Sequence, residues 1–186
     1  MKTRTRNGEI QRSLEESKVP ILPFELTLAK LALVNHIANQ AELGVKMGEA
    51  MEQSSETWHD NAPAEAISAA SKNLSSAAER TIGVIDKAEI FDYAAEVADG
   101  VTLGSLVRVR YGQSDQLSNL LLTGVSRELT SEIAQEIDGL EDVDVITLAS
   151  PIGQVILGKQ AGEQVTFATP NGRTIVLSIE SVQQIK

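Results

Sequence analysis

Apolar residues in the first half of the chain recur with the spacing of α-helices. From Phe24 to about Gln53 they follow one another at steps of three and four residues, which places them on one helix face. From Ile67 to Ala88 the steps alternate between three and four, which is a heptad pattern. Two such stripes joined by a short turn predict an antiparallel coiled-coil hairpin with its tip at residues 54–61. The predicted seam consists of Leu26, Ala29, Leu33, Ile37, Leu43, Met47 and Ala50 in the first helix and Ile67, Ala70, Leu74, Ala77, Thr81, Val84 and Ala88 in the second.

The second half of the chain changes to the pattern of short strands. Pro170-Asn171-Gly172 is a hairpin signal between the last two of them. Ser150-Pro151 has the chemistry of a helix start, and Gly158 that of a helix end, so a short helix is predicted between them. Residues 128–140 are predicted to be helical or loop-like. The predicted strands are residues 106–111, 117–123, 143–148, 164–169 and 174–182.

These patterns divide the chain into three predicted segments. Residues 1–22 are polar and carry Lys2, Arg4, Arg6 and Arg12, so they are interpreted as a basic N-terminal arm, mobile or forming a short helix. Prolines 20 and 23 mark its end. Residues 23–98 form the predicted hairpin. Residues 99–186 form a small domain, and the predicted fold class is α+β with a mostly antiparallel sheet.

Composition excludes several classes of function. The chain has no cysteine, so disulfides, thiolate metal sites and a cysteine nucleophile are excluded. The net charge is -10, and residues 51–100 alone hold three Lys or Arg against ten Asp or Glu. This argues against broad neutralisation of nucleic-acid phosphates, and aromatic residues, at 3%, are too few for a base-stacking platform. No apolar run is long enough to span a bilayer and no secretory signal is evident, so a cytoplasmic protein without a membrane partner is expected.

One segment resembles a known family. The sequence SPIGQVILGKQAGEQVTFATPNG, residues 150–172, is similar to the signature of the bacterial transcript-cleavage factors, the GreA/GreB family. VTLGSLVRV, residues 101–109, resembles the opening of that family's C-terminal domain, and HDNAPAEAISAA, residues 59–70, resembles the start of its second coiled-coil helix. The resemblance implies a coiled-coil finger followed by an FKBP-like domain, with bacterial RNA polymerase as the partner.

The resemblance also implies a mechanism. In the family, the C-terminal domain docks at the mouth of the polymerase secondary channel, and the finger presents acidic side chains inside it. These help to hold a second Mg²⁺ and a water, so that the polymerase itself hydrolyses the backtracked transcript. The chain is therefore expected not to be an enzyme, to bind no cofactor alone and to use the Mg²⁺ of the polymerase. It is also expected to be a monomer that contacts nascent RNA and DNA only indirectly.

The tip of the hairpin departs from the family pattern. The family has Asp-Leu-Lys-Glu-Asn, whereas this chain has Thr57-Trp58-His59-Asp60-Asn61. Asp60 therefore occupies the position of the family's Glu and is the candidate metal contact. Its alternative role is to cap the second helix, as Asn61 could also do. Thr57 replaces the family's Asp, and the neighbouring Glu56 is the second candidate carboxylate, or a solvated turn residue.

The remaining candidates are partner contacts. They are Trp58, His59, Asn61, Ser150, Pro151 and Lys159. Each has a structural alternative: Trp58 can pack on the end of the hairpin, His59 can be merely exposed, and the segment from Ser150 to Lys159 can be architectural. His36 is expected at the seam or its edge.

Other functions stay open at this point. A Gre-like factor could occupy the channel and modulate or inhibit the polymerase without cleavage, which the missing tip carboxylate favours. A prolyl isomerase is disfavoured because the C-terminal half offers only Tyr111 and Phe167 to line an aromatic pocket. A generic coiled-coil adaptor is the remaining alternative, and the basic arm could touch nucleic acid.

Overall fold

The computed structural model describes most of the chain as two units. The described residues are 6–53, 62–91, 100–112, 116–126, 143–169 and 171–185. The hairpin unit comprises Thr27–Lys87. The sheet unit combines the chain up to Leu26 with the chain from Ala88 onward. The predicted fold class, a helical hairpin with a mostly antiparallel α+β domain, is confirmed.

The hairpin unit is formed by two long helices. Helix α2 runs from Pro23–Gln53 and helix α3 from Ala62–Lys87. Proline is tolerated at the start of both because the first N–H groups of a helix have no intrahelical acceptor. The side-chain amide of Gln40 donates to the hydroxyl of Ser71 at 2.5 Å, which joins the two helices within the seam.

The observed seam differs from the predicted one at its middle. Ile37, predicted to be inside, is 62% exposed. His36, expected at the seam or its edge, is half-buried together with Gln40; on α3, Ala70 is exposed and its neighbour Ser71 is half-buried. Helix α2 is apolar on more than one face, so its sequence does not settle which face meets α3. The half-buried face carries the other predicted seam residues of α2 together with His36 and Gln40.

The sheet unit contains a five-stranded sheet in the order β5-β4-β3-β7-β6. All neighbouring strands are antiparallel except β4 and β5, which are parallel. Each predicted strand is present. The strands are β3 Ser105–Tyr111, β4 Leu117–Thr123, β5 Val143–Thr147, β6 Gln164–Ala168 and β7 Thr174–Gln184, and helix α4, Pro151–Ile156, lies between β5 and β6.

The core of the sheet unit follows the alternation along its strands. In β3, Val107 and Val109 are fully buried, whereas Arg108 between them is exposed. Successive strand residues point to opposite faces, so β3 has one apolar and one polar face, whereas β4 is buried on both faces from Leu120 to Thr123. On the polar face Arg110 pairs with Glu180 of β7 at 2.9 Å. The buried apolar cluster includes Val107, Val109, Leu120, Leu122, Ile156, Val165, Phe167, Leu177 and Ile179.

Residues 6–22, predicted as a basic arm, form two elements of the sheet unit. Helix α1 spans Arg6–Glu15, and strand β1 spans Val19–Ile21. Strand β1 pairs in parallel with β2, Ala88–Ile90, so the predicted last seam residue, Ala88, lies in a strand. Ile10 and Leu22 are fully buried within the core cluster. Burial of these two side chains anchors a segment whose overall composition is polar.

A fully buried carboxylate fixes the first turn of α2. Glu25 is 1% exposed and accepts four backbone N–H groups at 2.8–2.9 Å. One oxygen accepts from Leu22 and Gly124, and the other accepts from Val125 and Ser126. A buried charge is tolerated where each oxygen is hydrogen-bonded in this way. Glu25 thereby joins the first turn of α2, which belongs to the sheet unit, to the loop that follows β4.

The loop between the last two strands is confirmed as a hairpin turn. The backbone N–H of Thr169 donates to the carbonyl of Arg173, the N–H of Arg173 donates to the Thr169 hydroxyl, and Gly172 has a φ of +74°. Pro170 and residues 128–140 lie outside the described residues, so the predictions for them stay predictions. Of the helices in the described part of the chain, none has the length and apolar character needed to cross a membrane.

Candidate functional site

The predicted site residues fall into two groups. The tip residues lie outside the described part of the chain, and their roles stay predictions. Ser150, Pro151 and Lys159 lie inside it, around helix α4 of the sheet unit. The tip residues concerned are Glu56, Trp58, His59, Asp60 and Asn61.

Ser150 begins helix α4 in the predicted way. Its hydroxyl oxygen accepts the backbone N–H of Gly153 at 3.0 Å, and its O–H donates to the carbonyl of Thr147 at 2.7 Å. Pro151 is the first residue of the helix and is exposed. The hydroxyl therefore joins the end of β5 to the start of α4. This geometry supports the architectural role that the sequence left open.

Gly153 allows α4 to approach β5. A Cβ at this position would stand 2.1 Å from the carbonyl oxygen of Thr147, a distance at which the backbone must move. We expect Gly153→Ala to lower the free energy of unfolding by about 1–3 kcal/mol, because overpacking forces the surroundings apart. Urea unfolding measures this change.

The matched control is Gly44→Ala in α2, where a Cβ meets nothing within 4 Å. This second variant is expected to raise stability by up to about 1 kcal/mol, since alanine favours the helix. Equal changes in the free energy of unfolding for the two variants would show that the close approach of α4 to β5 does not determine the stability of the domain.

The end of α4 lies close to the residues that precede β3. The backbone N–H of Gly158 donates to Val101, and the N–H of Val101 donates to Lys159, both at 2.7 Å. Gly158 has a φ of +79°, and Gly100, at +127°, leaves no room for a Cβ beside Lys159. Both glycines are therefore required by the backbone. The backbone of Lys159 thus takes part in holding the end of α4 in place, whereas its side chain is not used in this contact.

The side chain of Lys159 lies at the surface. Its Nζ is 3.2 Å from Glu163 Oε1, and both side chains are a little over 40% exposed. The other oxygen of Glu163 accepts the backbone N–H of Gln160 at 2.6 Å. This backbone hydrogen bond, followed by the hydrogen bond from Lys159, holds the pKa of Glu163 below its ordinary value. The pair offers a partner one cation and one anion on a rigid turn.

The lowered pKa of Glu163 can be measured directly. An NMR titration of its carboxyl carbon is expected to give a lower midpoint in the folded chain than in the urea-unfolded chain. In Lys159→Ala the pKa of Glu163 should remain below its ordinary value, because the backbone N–H of Gln160 is the largest single cause of the shift.

The lowered pKa of Glu163 determines how its contribution to stability depends on pH. Glu163 contributes stability at pH values above the pKa of the unfolded chain, and this contribution is lost as the pH falls through the folded pKa. A midpoint in Lys159→Ala equal to that of the unfolded chain would contradict the assignment of the shift to the backbone.

The hairpin unit carries a groove beside its polar seam residues. The groove has a volume of about 250 Å³ and is mostly apolar. His36 and Gln40 lie on one wall and Leu74 on the other; Ile37, Ala41, Ser75 and Ala78 complete the lining. Among the residues that the structure describes, no cluster of three or more metal-ligating side chains occurs.

Sequence reasoning also missed the buried carboxylate of Glu25 and the close contact at Gly153. The role of Glu25 depends on amides about 100 positions away, which no local pattern reveals. The tight contact at Gly153 depends on β5, although a glycine in the first turn of a short helix is itself a signal of close backbone approach.

Comparison with known proteins identifies the sheet domain. Residues 96–184 match the family model described as transcription elongation factor, GreA/GreB, C-terminal. The C-terminal domain of this chain belongs to the GreA/GreB family. The match contains α4, its cap and the Lys159 turn, so the architecture described above is that of a GreA/GreB domain.

Solved structures of similar proteins include two factors from Thermus. GreA factor homolog 1 (Gfh1) of Thermus thermophilus is 19% identical, with 89% of this chain and 99% of that chain covered and a TM-score of 0.39. Gfh1 of Thermus aquaticus is also 19% identical, with 89% of this chain and 98% of that chain covered and a TM-score of 0.40. GreA/GreB from Nitrosomonas europaea is 22% identical over 64% and 92%, with a TM-score of 0.35. No curated protein is significantly similar to the sequence. The assignment to GreA/GreB rests on the family-model match.

Proposed function

We propose that this chain is a transcription elongation factor that binds bacterial RNA polymerase and stimulates cleavage of backtracked transcripts. The observation that carries the proposal is the GreA/GreB domain at residues 96–184. The two-helix hairpin supports it, because it supplies an element that can carry residues 54–61 into the polymerase secondary channel. The factor acts in the cytoplasm as a monomer.

The proposed chemistry belongs to the polymerase, and the factor is not itself an enzyme. Asp60 carries a negative charge to the polymerase active site, and Glu56 adds a second carboxylate beside it. Carboxylate oxygens are the ligands that Mg²⁺ prefers, and Mg²⁺ keeps several waters, so one or two added carboxylates suit it. When bound, the second Mg²⁺ stabilises the oxygens that exchange at phosphorus.

The other predicted contacts position the factor on the polymerase. Trp58, His59 and Asn61 contact the channel wall beside the carboxylates. Pro151 and the ammonium of Lys159 are exposed on the sheet unit and contact the mouth of the channel, while Ser150 holds α4 in place. Nascent RNA and DNA are contacted only indirectly within the elongation complex.

A second candidate is a channel-binding modulator that does not stimulate cleavage. The observation that favours it is Thr57, which places an uncharged hydroxyl where the family has an Asp. With one fewer carboxylate the tip would attract a second Mg²⁺ more weakly. Such a factor would still occupy the channel and change pausing.

Adding the protein to backtracked elongation complexes with end-labelled RNA distinguishes the two candidates. The first predicts release of short RNA in the presence of Mg²⁺ and resumption of synthesis from the shortened transcript. The second predicts altered pausing with transcripts of unchanged length. A protein that neither binds core polymerase nor changes its products would exclude both candidates.

A further inference from the structure

Helix α2 exposes a row of large apolar side chains. Leu31, Val34, Ile37 and Val45 are 54%, 61%, 62% and 63% exposed. A contiguous apolar surface of this kind on a water-soluble element marks an interaction site more often than chance. Their exposure therefore calls for a partner.

Three of these side chains, Leu31, Val34 and Val45, belong to a pattern with the spacing of a second helix–helix seam, and Ile37 lies beside it. Leu31, Val34, Ala38, Ala41 and Val45 follow one another at steps of three, four, three and four residues, and we call this row the outer face of α2. At 100° per residue the outer face lies opposite the side of α2 that is half-buried against α3. Helix α2 is thus patterned to be covered on two sides.

Helix α3 does not share this property. The exposed side of α3 is mainly charged and polar, as expected for a face in water, and carries one large apolar side chain among its described residues, Ile82, which is 43% exposed. The contrast within one hairpin shows that the apolar outer face is particular to α2. The exposed charged residues of α3 are Glu65, Lys72, Glu79, Arg80, Asp86 and Lys87.

The outer face continues into the groove of the hairpin. Ile37 lies beside the row and lines the groove, and Ala41 belongs to both. The small side chain of Ala41 lines the groove at the border of the face, where a projecting apolar side chain of a partner can insert. The surface therefore suits a ridge such as the apolar stripe of another helix.

A second copy of this chain does not fit the surface well. From Leu31 to Val45 the row is only about 21 Å long, which is short for the roughly 800 Å² per partner of a stable interface. Glu42 and Glu49 lie on one edge of the row. If two copies of α2 packed antiparallel, the glutamates of one copy would meet those of the other and repel. If they packed parallel, the glutamates of one copy would face Ile37 and Gly44 of the other, which offer no positive charge.

The charges of that edge indicate the chemistry of the partner. Glu42 pairs with Lys46 at 2.8 Å, and Glu49 is exposed on the same edge, close enough to Lys46 for an electrostatic interaction, so the edge carries two anions for one cation. We infer that the outer face of α2 binds an apolar ridge of a partner protein that carries basic side chains along one side. This inference rests on the proposed function, under which the partner is RNA polymerase.

The test compares variants of the full chain for binding to purified core polymerase. Leu31→Gln, Val34→Gln and Val45→Gln are combined in one variant, and Lys72→Gln with Glu79→Gln on α3 forms the control of unchanged net charge. We expect the first variant to bind core polymerase at least about tenfold more weakly. A tenfold change in Kd corresponds to about 1.4 kcal/mol of binding free energy, which is within the range lost at hot-spot residues. The control should bind within about twofold of the wild type.

A single charge reversal keeps the inference testable if the triple variant loses helical content. Glu49→Lys is expected to weaken binding mainly through a slower association rate, with a reduced dependence on salt. Helical content by circular dichroism accompanies each measurement.

The outcomes separate the inference from the proposed function. If the wild type does not bind polymerase, the proposed function fails. If the wild type binds and both the triple variant and Glu49→Lys bind equally well, the inference fails while the proposed function stands. A wild type that sediments as a dimer, with the triple variant a monomer, would also overturn the inference in favour of a second copy.

Discussion

Replacing Glu25 with glutamine is expected to lower the free energy of unfolding of the sheet unit by about 3 kcal/mol or more. The carboxylate accepts four backbone N–H groups in a fully buried site. The glutamine amide has the same shape but only one acceptor oxygen, and its other group is NH₂. Two of the four backbone N–H groups would therefore face the NH₂ group, which is itself a donor. Leaving buried donors unpaired costs about 1–3 kcal/mol each. Urea unfolding followed by NMR signals of β3 and β4 measures the loss.

The control for Glu25→Gln is Glu42→Gln, which neutralises an exposed carboxylate of the same helix. Its side chain is 63% exposed and forms one surface pair, so its effect should stay within about 0.5 kcal/mol. The amide signals of Gly124 and Val125 should shift only in the Glu25 variant. Similar stabilities for the two variants would show that the buried carboxylate does not anchor α2.

Replacing Asp60 with alanine is expected to abolish Mg²⁺-dependent release of short RNA from backtracked complexes. The proposed function gives this carboxylate the task of recruiting the second metal ion, and alanine offers no ligand. Binding to core polymerase should change little, because the contacts of the sheet unit remain. The measurement is the rate of RNA release at a saturating concentration of the factor.

Two further tip variants make this prediction sharper. Asp60→Glu restores the length found in the family and should retain release, and Thr57→Asp restores the family's second carboxylate and should increase it. Unchanged release by Asp60→Ala would exclude the carboxylate mechanism. Release by Thr57→Asp but not by the wild type would establish the modulator instead.

Local signals predicted most of the sheet unit. Strand β3 follows from alternation of apolar and polar residues, since Arg108 separates two buried valines, and β4 follows from a short apolar run. The start of helix α4 follows from the capping side chain of Ser150, which accepts a backbone N–H three residues later, and from Pro151 at the first helical position. These features depend on neighbours in the sequence, so a single sequence reveals them.

Long-range contacts account for what the sequence did not predict. Helix α1 is polar overall, and its place depends on Ile10 and on Ser13, whose hydroxyl donates to Glu89, 76 positions away. Glu89 also pairs with Arg12 and Lys18. The seam of α2 was misassigned at Ile37 for a related reason, since two apolar faces fit the same periodicity and only contact with α3 selects one. The tip residues stay predictions.

The most direct test of the central claim is where the tip lies in the complex with RNA polymerase. A photocrosslinking amino acid at position 58, in place of Trp58, can be irradiated in the complex of the full chain with core polymerase, and the attachment site mapped by mass spectrometry. The account predicts crosslinks to residues lining the secondary channel near the active centre. Crosslinks confined to the outer surface of the polymerase would contradict it.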